Sequence, residues 1–70
     1  MEKLRLRVTG MTCQGCVRSV KRVLERVPGV SEAVVSLERS EAVVDFDPGR
    51  ASAADLAAAV EAAGYHAQPD

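Results

Sequence analysis

The chain predicts an α+β fold of order βαββαβ, with two helices on one face of a four-stranded antiparallel sheet. Three observations predict it. Apolar and polar residues alternate in three stretches, as half-buried strands require. Two other stretches carry apolar residues at intervals of three and four, as amphipathic helices require. Glycine, proline and helix-capping residues punctuate the joins.

Residues 3–8, Lys-Leu-Arg-Leu-Arg-Val, place Leu4, Leu6 and Val8 on one face and Lys3, Arg5 and Arg7 on the other, which is a strand half buried against a core. Gly10 to Cys13 interrupt the alternation. Val17, Val20, Val23, Leu24 and Val27 then define a helix from Gln14 or Gly15 to Val27, stopped by Pro28-Gly29. Over 30–37 the pattern returns to extended, with Ala33, Val35 and Leu37 on one face. A polar turn over Glu38 to Glu41 joins this strand to Ala42, Val44 and Phe46, making an antiparallel hairpin. Asp47-Pro48-Gly49 is a turn, and Ser52 with Asp55 three residues on is a capping-box-like start to a second helix. Its apolar stripe is Leu56, Ala59, Val60 and Ala63, and Gly64 ends it. Tyr65 to Gln68 supply a short last strand stopped by Pro69. Two split βαβ units of this kind make a ferredoxin-like sandwich.

Size and composition narrow the function. Seventy residues make a single domain, residues 1–70, with no linker, repeat or low-complexity tract. With no Trp, one Phe and one Tyr, the core must be Val, Leu and Ala, too thin to enclose a large organic substrate, so any site lies at the surface. Nine Lys plus Arg against ten Asp plus Glu give a net charge of −1, which offers no global attraction to nucleic acid. No apolar run reaches membrane-spanning length, and the start of the chain lacks the apolar segment of a secretory signal. A cytoplasmic protein with no direct membrane insertion is expected. In a reducing compartment a cysteine pair is read as a metal or redox site ahead of a structural disulfide.

Cys13-Gln14-Gly15-Cys16 straddles the junction of the first loop and first helix. Free backbone N–H groups and the positive end of the helix dipole favour thiolates there, and Gly15 is expected to let the backbone turn tightly between them. Two thiolates are a soft donor set. They are too few for structural zinc, which takes four ligands, but sufficient for Cu(I) in near-linear coordination. His66 reads as an exposed strand residue ahead of a third ligand. Cys-x-x-Cys before a helix also serves thiol-disulfide oxidoreductases, with Cys13 as nucleophile and Cys16 as resolving thiol. The short chain, the lack of Trp or Pro beside the motif and the order of elements weigh against that enzyme reading.

The run Gly10-Met11-Thr12-Cys13-Gln14-Gly15-Cys16 closely resembles the heavy-metal-associated domain of bacterial cytosolic copper chaperones and of copper-transporting P-type ATPase N-termini. Pro28-Gly29-Val30, Asp47-Pro48 and Ala63-Gly64-Tyr65 extend the resemblance over essentially the whole chain. The resemblance implies a metallochaperone rather than an enzyme, with Cys13 and Cys16 as metal ligands and a P-type ATPase or its N-terminal metal-binding domain as partner. Thr12 stands where zinc, cadmium and lead relatives often carry Asp, as in copper and mercury members. Mercury carriers share the motif but are usually periplasmic with a signal peptide. Cu(I) is therefore the favoured ion, with Hg(II), Ag(I) and Zn(II) as alternatives.

Around the cysteines, Met11 is read as a core anchor of the loop ahead of a thioether ligand, and Thr12 as setting loop geometry. Tyr65 either shields the ion or caps the core edge. Arg18, Lys21 and Arg22, with Arg26, give the first helix a basic exposed side, either simply solvated or docking an acidic partner. The apo protein is expected to be monomeric. An exposed two-sulfur site can also accept sulfur from a second copy, which allows a metal-bridged homodimer. Met1 at the start and Asp70 just past the last strand point to a free-standing chaperone rather than a transporter module.

Overall fold

In the computed structural model, residues 1–69 are described; Asp70 and the chain-end expectation resting on it lie outside them. The elements follow the predicted order: β1 Glu2–Thr9, α1 Gln14–Glu25, β2 Val30–Ser36, β3 Glu41–Phe46, α2 Ala53–Ala62 and β4 His66–Pro69. The sheet order is β2-β3-β1-β4, and every neighbouring pair is antiparallel. Each helix connects two strands separated by a third, so both βαβ units are split and the sandwich is ferredoxin-like.

Alternation in β1 works as the sequence requires. Leu6 and Val8 face the core with no exposed surface, while Lys3, Arg5 and Arg7 face solvent on the open side of the sheet. There Lys3 Nζ lies 4.0 Å from Asp45 Oδ1, and Arg5 Nε 3.8 Å from Glu41 Oε1, pairing basic β1 with acidic β3. Ala42, Val44 and Phe46 of β3 alternate inward, and Ala33 of β2 joins them. Val20 and Leu24 of α1 and Leu56 and Val60 of α2 close the core from the helical side. Phe46 is the one aromatic side chain in that buried set.

Ser52 Oγ accepts from the Asp55 N–H at 3.2 Å, and the Ser52 N–H donates to Asp55 Oδ2 at 3.0 Å, a complete capping box. Asp47 organises the turn before it, accepting from the Gly49 N–H at 2.9 Å through Oδ1 and from the Arg50 and Ala51 N–H groups through its carbonyl. The Asp47 N–H donates to Gly29 O at 2.8 Å, which ties that turn to the end of α1.

Four local expectations are corrected. α1 ends at Glu25 rather than Val27. Val27 still packs against the core, but in a tight turn whose N–H reaches back three residues to Leu24 O. Ala63 is exposed beyond the end of α2 and belongs to no apolar stripe; Ala57 packs there instead. Tyr65 precedes β4 rather than starting it. Pro69 is the last residue of β4, paired with Leu6. It lies within the strand rather than just after it, as an edge strand allows where the missing N–H faces solvent.

Candidate metal centre

Three connections meet at one end of the sheet. The loop after β1 carries Gly10 to Cys13, the β2–β3 turn closes against β1 through the Val8 N–H to Ser40 O bond at 2.8 Å, and the turn after α2 brings in Tyr65. Cys13 is the N-cap of α1 in an extended conformation (φ −158°, ψ 172°). Its carbonyl accepts from the Cys16 and Val17 N–H groups at 3.1 and 3.3 Å. Its sulfur does not cap the helix and is therefore free for another partner. Cys16 sits in the first turn, so both side chains emerge at the positive end of the helix dipole.

The two sulfurs are 3.6 Å apart and both cysteines are free thiols, Cys13 exposed and Cys16 partly so. The Cys16 thiol is lowered from 9.0 to about 6. The Thr12 backbone contributes most, followed by the Tyr65 hydroxyl, the Cys13 thiol and the Thr12 hydroxyl, whose Oγ1 lies 3.8 Å from Cys16 Sγ; partial burial opposes them. Reciprocally, donating to Cys16 raises the Tyr65 phenol, with burial and the thiolate's own charge acting in the same direction.

Tyr65 is held over the loop. Gly10 has φ +97°, and a Cβ there would lie 3.6 Å from Tyr65 Cδ1, so the ring lies against the loop backbone. The role expected of Gly15 is corrected here. Gly15 is an ordinary helical residue with room for a Cβ at 3.6 Å from Cys13 Sγ, and the residue that turns the loop is Gly10. A glycine placed directly after a strand was the signal for it. Met11 is half buried against the core, the anchor position expected of it.

Among the described residues no group of three or more His, Cys, Asp or Glu side chains could hold a metal ion. His66 is exposed in β4, opposite Thr9. Two sulfurs 3.6 Å apart beside the Thr12 and Tyr65 hydroxyls can bind a soft cation and leave it open to a further ligand from outside. Arg18, Lys21 and Arg22 are all exposed on α1. At ~1.5 Å per residue, Arg18 lies about 3 Å and Arg22 about 9 Å beyond Cys16 along the helix axis. Lys21 Nζ is 3.9 Å from Glu25 Oε2, and Arg22 lies in the last turn, where the dipole favours a cation. Arg18 therefore stands nearest the thiols, with no ion pair among the described residues.

The model of the heavy-metal-associated domain matches residues 5–66. The chain belongs to that family. Metal binding is the activity this membership supports. Among curated relatives, mercuric reductase of Serratia marcescens is 50% identical over 62 residues, 89% of this chain and 13% of that protein. The copper-exporting P-type ATPase of Staphylococcus haemolyticus is 38% identical over 69 residues, 99% of this chain and 9% of that protein. The chain thus spans only a small part of the length of these relatives. Among solved structures, a copper-binding domain from HMA7, a P-type ATPase, superposes with a TM-score of 0.98 at 40% identity, covering 100% of this chain and 95% of that one. The CopZ metallochaperone superposes with a TM-score of 0.92 at 30% identity, covering 96% and 100%. Among the described residues no helix is long and apolar enough to cross a membrane.

Proposed function

We propose that this heavy-metal-associated domain, residues 1–70, binds one soft metal ion, Cu(I), between Cys13 and Cys16. It passes the ion by thiolate exchange to a metal-transporting P-type ATPase in the cytoplasm. The observation that carries the reading is a pair of sulfurs 3.6 Å apart at a helix N-terminus, Cys13 exposed and Cys16 partly so, the latter a thiolate at neutral pH.

Geometry bears on transfer as well as on binding. With the zinc–thiolate length of about 2.3 Å as a scale, a trigonal site needs its sulfurs about 4.0 Å apart and a linear one about 4.6 Å. The observed 3.6 Å is shorter than either, so the sulfurs spread when an ion enters. Cys13, whose side chain caps nothing, is free to swing outward to the trigonal or linear spacing, or to leave when a partner thiolate takes its place. The apo protein is monomeric in this scheme. A second copy supplying the third sulfur would give the metal-bridged dimer instead.

Copper-transporting relatives and the copper-domain structures support Cu(I). The 50% identity to a mercuric reductase supports a second reading, Hg(II), on the same two sulfurs. The test is a competition titration of the reduced protein with Cu(I) against a chromophoric chelator, repeated with Hg(II), Ag(I) and Zn(II) and with Cys13→Ser and Cys16→Ser. One-to-one Cu(I) binding that collapses in both variants, together with ion transfer to a copper ATPase domain, is expected. Tight Hg(II) binding with no Cu(I) transfer moves the function to mercury. Loss of all metal binding, with disulfide-reductase turnover, moves it to redox chemistry.

A further inference from the structure

A second site lies beside the metal loop and uses neither cysteine. A cavity of about 250 Å³ is lined by Arg7 and Thr9 of β1, His66, Ala67 and Gln68 of β4, and Glu61 of α2. At ~30 Å³ per water it holds about eight waters, below the ~300 Å³ at which sites for larger organic ligands begin. Its ligand is therefore small.

The charges in it are unspent. On the open face of the sheet, Lys3 and Arg5 each have a carboxylate, Asp45 and Glu41. Arg7 is in register with Glu41, but Glu41 already holds Arg5, and Arg7 forms no ion pair among the described residues. Arg7 is next to Gln68 and Thr9 next to His66 in the β1–β4 ladder, so a guanidinium, a hydroxyl, an imidazole and an amide gather on neighbouring strands as hydrogen-bond donors. That is a carboxylate-binding set. Glu61, the one acidic side chain in the lining, is also without an ion pair among the described residues. It repels a plain anion and welcomes an ammonium group.

We propose that this cavity binds the zwitterion of a free α-amino acid, its carboxylate on Arg7 and its ammonium on Glu61. Thr9 leads directly into the metal loop and His66 follows Tyr65, so an occupant lies next to the segments that position the thiols. Binding itself requires no metal and is independent of the metal reading.

The test is an amide chemical-shift titration of the full apo chain with glycine, and in parallel with acetate and ethylamine, which each carry half of the zwitterion. Saturable shifts confined to residues 7–9, 61 and 66–68 are expected with glycine, with weaker responses to either half. Arg7→Gln and Glu61→Gln should each weaken glycine binding about tenfold, while Lys3→Gln, on the same strand but outside the cavity, leaves it unchanged. All three side chains are exposed, so the variants keep the fold. No saturable shifts with glycine, equal responses to acetate and glycine, or full binding by Arg7→Gln would overturn the proposal.

Discussion

The state of Cys16 at neutral pH is the sharpest quantity the structure offers. With its pKa lowered from 9.0 to about 6, Cys16 is about nine-tenths thiolate at pH 7, where an unperturbed thiol would be about one-hundredth ionised. The reduced apo protein should therefore titrate, by ultraviolet thiolate absorbance, with one early step near pH 6 that alkylation and mass mapping assign to Cys16. Tyr65→Phe removes the second-largest cause of the lowering and leaves the first, the Thr12 backbone, in place. The early midpoint should rise in that variant without returning to the ordinary value. The metal consequence has a definite sign. Protons compete with metal for Cys16 below its pKa, so its contribution to the pH dependence of affinity flattens above about pH 6, and at a higher pH in Tyr65→Phe. Absence of an early Cys16 step near pH 6, or a midpoint unmoved by Tyr65→Phe, would refute the reasoning.

The same thiol links stability to pH. A folded pKa near 6 against 9.0 unfolded means that the unfolded state binds more protons between those values, so the Cys16 contribution is complete above pH 9 and lost as pH falls through 6; a serine variant at Cys16 should remove that part of the slope in urea unfolding. Ser52→Ala should cost about 1 kcal/mol by opening the capping box, read as a fall in Tm of roughly 4–8 °C for a domain of this size. Gly29→Ala should cost more than the ~1–2 kcal/mol of left-handed strain alone. At φ +99° the new Cβ would also come within 2.8 Å of Arg50 Cβ, and circular dichroism melting checks it. Arg18→Glu combined with Lys21→Glu should slow Cu(I) transfer to an acidic ATPase domain in stopped-flow while Cu(I) affinity holds, and equal transfer rates would remove the docking role of that face.

Periodicity carried the fold because each strand has one wet face. The alternation Leu4, Leu6, Val8 and Ala42, Val44, Phe46 maps directly onto inward and outward positions, and the Ser52–Asp55 spacing onto a formed capping box. Boundaries were less legible. Val27 keeps the apolar rhythm of α1 after the helix has ended, because a tight turn can present a side chain to the same core, and periodicity registers the core rather than the hydrogen bonds. The bound at Pro69 moved by one residue for a related reason: whether proline can sit inside a strand depends on whether that strand is an edge, which is a property of sheet order. At the site, the cysteine spacing was visible in the sequence, but the Thr12 and Tyr65 groups that ionise Cys16 come from a loop and from a turn nearly fifty residues downstream. Only the family resemblance placed Tyr65 there. The cavity of Arg7, Glu61 and His66 had no sequence signal, since three elements must meet before it exists.

The placement of the metal loop separates what holds the domain together from what the domain exchanges. α1 starts at the cysteines and ends at Glu25, and the turn that follows it reaches Pro28-Gly29 at the opposite end of the sheet, where the Asp47 N–H to Gly29 O bond and the close approach of Gly29 to Arg50 pin it to the turn before α2. The buried side chains of α1, Val20 and Leu24, lie in its middle and second half, whereas Cys13 and Cys16 sit in a first turn with exposed Gln14, Gly15 and Arg18 around them. Packing of two fully buried apolar side chains contributes about 3–6 kcal/mol, against a total stability of roughly 4–10 kcal/mol for seventy residues. The proposed thiolate exchange involves none of those contacts: the sulfurs would spread, take a third ligand and let go while Val20 and Leu24 stay packed in the core.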